Sequence, residues 1–249
     1  MTNIVILTTA VGYQPEHMLP LWQSLQKCNF TGKLVMLSDG KTADALEPHA
    51  PAFTQFLVYE PYSPQILLPD APPTVQRMAL DGMALDSEEF FLKSAAINPM
   101  WTDHFFVSFN HPSVFRYLFY RDYLQKNAAN FDAIVLCDGR DVLFQRNPGD
   151  VLNAQTPLSF GLEVSRCVLG AEAFNTTWVT HLWGQEVFDK YKGRRIVCSG
   201  ATVGNIKAIQ NYLDLMRDYL LRHASRTKNA YGFDQAFHNR MWWDGQLPD

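Results

Sequence analysis

Three short apolar runs limit the fold more than any other feature of this chain. NIVILTT (3–9), KLVMLSDG (33–40) and DAIVLCD (132–138) are almost continuously apolar, rich in β-branched residues and bounded by polar ones. A strand with one wet face alternates between apolar and polar. A run without alternation is buried on both faces, as in a parallel sheet covered by helices. QFLVYE (55–60) is a further run, third in chain order ahead of DAIVLCD. Between the first two strands a helix is expected to start near Pro20, with Leu21, Trp22 and Leu25 on one face. This rhythm predicts an α/β fold with a mainly parallel central sheet and helices on both faces.

The remaining elements are read in the same way. PYSPQILLPDAPP opens a proline-rich loop, and the rest of 61–112 reads as one or two short helices. HPSVFRYLFYRDYLQKN (111–127) is a helix with Pro112 near its start and aromatics almost all round, which buries it. LSFGLE (158–163) and RRIVCSGATVG (194–204) are strand-like, the second ending in a Gly-rich turn, with a mixed stretch between them. In NIKAIQNYLDLMRDYLLRH (205–223), Ile206, Ile209, Leu213, Met216 and Leu220 recur at helical spacing, and Asn205 can cap the helix start. FDQAFHNRMWW (233–243) is the last expected helix.

Composition narrows the function classes. With 249 residues, 47% of them hydrophobic, the chain can bury a sizeable core, and no linker divides it. It reads as a single domain. The net charge is −4, and the outnumbered Lys and Arg are scattered, so nucleic acid is not an expected partner. The opening MTNIVILTTAVGY lacks a cationic segment and reads as a strand rather than a signal peptide. No run of 18 uncharged apolar residues suggests a membrane span. Cys28, Cys137, Cys167 and Cys198 are far apart and form no CxxC, which fits reduced core thiols in a cytoplasmic protein.

The chemistry concentrates in FDAIVLCDGRDVLFQRNP (131–148). Ligands of parallel sheets gather at the carboxyl ends of strands, where Asp138 and Asp141 stand. Gly139 is expected to let the chain turn sharply, so that both carboxylates face one crevice. Two close carboxylates repel, and a hard divalent cation such as Mg²⁺ or Mn²⁺ relieves that. The plain alternative is an Asp-Gly turn in which Arg140 pairs with one aspartate.

This strand and acidic turn, reached through a helix containing RYLFYRDYL, resemble the nucleotide-sugar half of a GT-A fold glycosyltransferase. There a DxD-type motif holds the metal that binds the donor diphosphate. VCSGATVGNIKAIQNYLDLM is similar to the family's SG strand and following helix, and GFDQAFHN resembles its DQ segment beside the donor sugar. The ordered motifs run from residue 3 to about 243. The motif here is D-x-x-D, a spacing also similar to that of some collagen-modifying members.

The resemblance implies a GT-A, Rossmann-like domain over 1–249, with a nucleotide-binding half (1–148) and an acceptor-side half (149–249). It implies Mn²⁺ or Mg²⁺, a UDP-sugar donor and a saccharide or other hydroxyl acceptor. Asp138, Asp141 and, as the last histidine in the chain, His238 are the candidate metal ligands. Thr8, Thr9 and Ala10 end the first strand where the family's uridine sits. Asp39 is a candidate for base or ribose, an Asp-Gly turn being its alternative. Arg116 is preferred over Arg121 for the nucleotide, since the two lie about 140° apart on a helix. Arg140 either meets phosphate or ties the turn down. Ser199 and Gly200 are expected near the sugar, Asp234 and Gln235 near the sugar and acceptor hydroxyls, and Glu163 is a second candidate base. Trp178, Trp183, Trp242 and Trp243 are read mainly as core, with one or two free to stack on an acceptor.

Competing classes fit less well. A nucleotidyltransferase wants a Gly-rich basic loop after its first strand, which LTTAVGYQPEH lacks. A haloacid-dehalogenase-type phosphatase wants DxDx(T/V), and Asp141 stands one place late. A catalytically inactive sugar- or protein-binding module on the same scaffold is the alternative that remains.

Overall fold

The computed structural model describes residues 2–59, 106, 107, 110–227 and 231–247. The expected loop and short helices of 61–112 fall largely outside these residues. Six strands form one sheet: β1 (Ile4–Thr9), β2 (Lys33–Asp39), β3 (Thr54–Tyr59), β4 (Ala133–Cys137), β5 (Ser159–Leu162) and β6 (Val197–Asn205). Their spatial order is β3-β2-β1-β4-β6-β5. The helices are α1 (Pro15–Lys27), α2 (Gly40–Leu46), α3 (Pro112–Asn127), α4 (Ala173–Tyr191), α5 (Ile206–Arg222) and α6 (Phe233–Trp243).

The uninterrupted apolar runs become the sheet centre, and their alternate residues divide between two cores. Val5, Leu7, Val35, Leu37, Ile134 and Leu136 belong to one cluster, into which α3, α5 and α6 pack Leu118, Leu213 and Phe237. Ile4, Ile6, Leu34, Met36, Ala133 and Val135 belong to the other, covered by Met18, Leu21, Trp22 and Leu25 of α1. Both faces are covered, as the lack of alternation requires.

Two expectations are corrected. The first helix starts at Pro15, five residues before Pro20. Pro15 occupies the first turn, where its missing N–H costs nothing, and His17 Nδ1 accepts from the Gln14 backbone N–H at 2.9 Å. Pro20 lies inside the helix on its exposed side. The sheet is mainly parallel, as expected, and the second correction concerns the end of one strand. β1 to β4 are parallel, but β6 runs antiparallel to both β4 and β5. The Gly-rich end of SGATVG is strand rather than turn, pairing Gly204 with Ile134.

Among the described residues, no helix is long and apolar enough to cross a membrane, and all four cysteines are free thiols. The mixed stretch after β5 is α4, capped by Glu172 through the Phe174 and Asn175 N–H groups and kinked at Gly184.

The helix most legible in the sequence is anchored by the fully buried Leu213. Leu213→Ala is expected to cost about 2–5 kcal/mol, measured as a lower urea midpoint with an unchanged slope.

Candidate functional site

The reversal of β6 matters because it carries the start of that strand to the carboxyl end of β4. Cys137 pairs with Ala201, and the Asp138 N–H donates to the Gly200 carbonyl at 2.9 Å. A Cβ on Gly200 would lie 2.3 Å from Asp138 Oδ2, so this backbone position has no room for a side chain. Gly139 is held by the same kind of constraint. Its φ is not positive, and a Cβ there would lie 2.8 Å from the Thr9 carbonyl. The glycine thus permits close packing against β1, and the chain bends over residues 139–141 so that Asp138 and Asp141 line one cleft, as expected. Beyond it, Val142 and Phe144 pack on the α1 side of the sheet. The Phe144 N–H donates to Ser24 Oγ at 3.1 Å, and the Cys28 thiol donates to the Phe144 carbonyl at 3.3 Å. The acidic loop is thus tied down at both ends.

Asp138, Gly139, Arg140 and Asp141 line a cleft of about 400 Å³, together with Thr9, Arg116, Ser199, Asp234 and Gln235. The floor is a buried polar cluster. Arg116, on α3, donates through Nη1 to Asp138 Oδ1 and through Nη2 to Asp234 Oδ2 at 3.0 Å. Tyr117 OH and Ser199 Oγ also donate to Asp234 Oδ2, at 3.0 and 3.1 Å. All three donors meet one oxygen, and Oδ1 takes none of them. Burial works against the Arg116 charge, but Tyr117, Asp138 and Asp234 outweigh it and raise its pKa well above the ordinary value. Arg121 is the structural partner of the pair, bound to Asp214 at 2.5 Å outside the cleft.

Above this floor the carboxylates open out. The Asp138 side chain is 41% exposed and that of Asp141 67%. Arg140 Nε reaches Asp141 Oδ1 at 3.4 Å, and its guanidinium lies 5.9 Å from the centre of the Tyr13 ring. Among the described residues, no three His, Cys, Asp or Glu side chains are grouped to hold a metal ion. Two hard carboxylates on one loop fit Mg²⁺ or Mn²⁺, which take one or two protein carboxylates and complete their shell with water and phosphate. They do not make a closed cage of protein ligands.

Several sequence candidates stand elsewhere. His238 lies in the core rather than in the cleft lining. It is fully buried, its Nδ1 2.8 Å from Tyr212 OH and its ring packed on Phe160 and Tyr212. Burial, then Arg116, push its pKa down to about 3. Thr8 and Ala10 are buried beneath the cleft, leaving Thr9 as the strand-end residue that lines it. Asp39 is neither in the cleft nor in a simple turn. It caps α2, accepting from Thr42 N–H at 2.9 Å and Thr42 Oγ1 at 2.7 Å. Burial raises its pKa, and these bonds more than offset that to leave it lowered. Glu163 lines a smaller adjoining pocket. Trp183, Trp242 and Trp243 pack against the main core, whereas Trp178 also reaches the cleft.

The sequence reading missed His111, Tyr13 and Tyr231, all in the lining. His111 caps α3, its Nδ1 accepting from the Ser113 N–H at 3.2 Å. That role puts the proton of the neutral ring on Nε2. Burial lowers its pKa, Asp234 opposes this and Arg116 adds to it. The signal was present, since a polar residue just before Pro112 is the capping position.

The result is an α/β protein with a charged cleft at the strand ends. No protein-family model matches the chain, and no curated protein is significantly similar to it.

Two outcomes follow from the cluster and the core histidine. Arg116→Met leaves Asp234 as a buried charge without its cation and is expected to cost about 3–5 kcal/mol. Adding Asp234→Asn should recover part of that loss in chemical denaturation. For His238, the unfolded chain binds its proton near pH 6.5 and the folded chain only near about 3. The unfolded state therefore holds more protons between these values, and stability is lost as pH falls through that window. His111 shifts in the same direction, so His238→Gln should flatten, without abolishing, the fall in urea midpoint between about pH 7 and about pH 4.

Proposed function

We propose that the protein is a metal-dependent glycosyltransferase, moving a sugar from a nucleotide-sugar donor, a UDP-sugar by its motifs, to a hydroxyl acceptor. One observation carries this reading. Asp138, Ser199 and Asp234, from three stretches of chain that resemble successive glycosyltransferase motifs, line one strand-end cleft around Arg116. Strand ends are where α/β sheets bind nucleotides.

Asp138 and Asp141 are the residues that would hold Mn²⁺ or Mg²⁺. Bound there, the ion would act as a Lewis acid on the charge developing on the departing diphosphate. The chain's own residues supply the rest. Arg116, locked between two carboxylates, adds fixed positive charge beneath the acidic loop and costs no reorganisation during reaction. Ser199 lines the cleft where a sugar would lie, and the side-chain-free Gly200 lets the Asp138 carboxylate lie against the backbone beside it. The acceptor oxygen bonds to the anomeric carbon as the bond from that carbon to the diphosphate breaks, its electron pair leaving with the diphosphate. The acceptor proton passes to Asp234 Oδ1, the oxygen its three donors leave open. Little covalent work falls to the protein, so positioning and charge stabilisation dominate.

Thermal shifts with UDP, GDP, ADP and CMP, each with Mn²⁺ or with EDTA, test the reading. One nucleotide, expected to be UDP, should stabilise the protein only with metal, by about 2.7 kcal/mol at a hundred times Kd. Asp141→Ala, at an exposed carboxylate, should remove that shift without lowering the starting stability. No shift with any nucleotide would leave the inactive binding module as the better reading.

A further inference from the structure

The cleft does not end at Asp234. Trp178 and Gln235 line both the cleft and a second pocket of about 230 Å³, so the two spaces adjoin. Along this junction four rings follow one another, Phe174 and Trp178 lining the side pocket and Trp178, Tyr231 and His111 the cleft, so that a disaccharide with one ring in the pocket would lay its second over Tyr231. Phe174 and Trp178 have centroids 5.9 Å apart, Trp178 and Tyr231 6.3 Å, and Tyr231 and His111 6.1 Å. Phe174 and Tyr231 are each 59% exposed, which is unusual for rings this large and leaves apolar faces to water. Trp178 is pressed against the start of α6. Gly232 has a φ of +83°, and a Cβ there would lie 2.2 Å from the indole ring.

Polar groups edge the same pocket. Gln235 Nε2 donates to Asn175 Oδ1 at 3.3 Å, which fixes both amides. The Asn175 amide is itself bound to Glu172, whose carboxylate is occupied in capping α4. Glu163 adds a carboxylate to the lining.

We propose that this ring-lined side pocket is the acceptor subsite and that it takes one sugar ring of a saccharide. A pyranose has an apolar face of C–H groups and an equatorial rim of hydroxyls. Aromatic faces carry partial negative charge that attracts polarised C–H groups, and Glu163, Asn175 and Gln235 suit the hydroxyl rim. At about 230 Å³ the pocket falls below the roughly 300–1,000 Å³ of sites for drug-sized ligands. It matches a single residue rather than a nucleotide. The assignment rests on the glycosyltransferase reading only for the word acceptor; saccharide binding stands on the rings and amides themselves.

The test uses glucosyl, galactosyl and N-acetylglucosaminyl disaccharides in both α and β linkage. Binding is followed by tryptophan fluorescence and by thermal shift, with and without UDP and Mn²⁺. At least one disaccharide should bind, and Phe174→Ala and Tyr231→Ala, at exposed positions, should each weaken it by about tenfold at most, in proportion to the stacking lost. Trp178→Phe keeps a ring against Gly232 and should weaken binding while altering the fluorescence change. The UDP–Mn²⁺ shift should be unaltered by Phe174→Ala. Binding of UDP with no disaccharide bound would overturn the subsite and spare the donor reading. Disaccharide binding insensitive to all three ring variants would overturn it too. Disaccharide binding lost in those variants, with no response to any nucleotide, would uphold the subsite and end the donor reading.

Discussion

The buried guanidinium of Arg116 is the interaction on which the cleft depends. It lies between carboxylates from two distant parts of the chain, Asp138 after β4 and Asp234 at the start of α6. An ion of either sign taken from water into a core carries a desolvation penalty of several kcal/mol, and only close, well-directed partners offset it. Here the partners are two carboxylates and the Tyr117 hydroxyl, while Ser199 adds a third donor to Asp234 Oδ2. Each of these bonds needs the other residues in place, so α3, β4, β6 and α6 cannot shift independently at this point.

That cluster divides the carboxylates of the cleft by task. Asp234 is buried, and one of its oxygens meets three donors. Asp138 is shared, with one oxygen on Arg116 and the other over the bare backbone of Gly200. Asp141 extends toward solvent, and among the described residues Arg140 is the cation beside it. The gradient from buried and paired to open and weakly paired follows the donors that each carboxylate meets. It leaves Asp138 and Asp141 open at the cleft surface, while Asp234 anchors the floor through Oδ2 and keeps Oδ1 clear of those three donors.

Much of the fold was legible because its signals are local. Unbroken apolar runs announced β1, β2 and β4, and helical spacing announced α5, whose Asn205 cap is present as read. The start of α1 was ambiguous in sequence because two prolines, Pro15 and Pro20, can each open a helix, and the one in the first turn is Pro15. His238 was chosen as the last histidine of the chain, a criterion of order. Its actual environment, between Phe160 and Tyr212, is a matter of packing. Asp39 had two candidate roles in sequence and takes a third, the cap of a short helix.

By itself the sequence determined which segments must be buried and which residues stand at strand ends. Burial on both faces and helical periodicity are properties of neighbouring residues. The direction of β6, the meeting of Arg116 with Asp138 and Asp234, and the run of rings from Phe174 to His111 were decided only in three dimensions. Each joins side chains many positions apart, and no local pattern encodes which of them will share one low-dielectric space. Whether a carboxylate there is a floor or a free ligand depends on the donors that tertiary packing happens to bring to it.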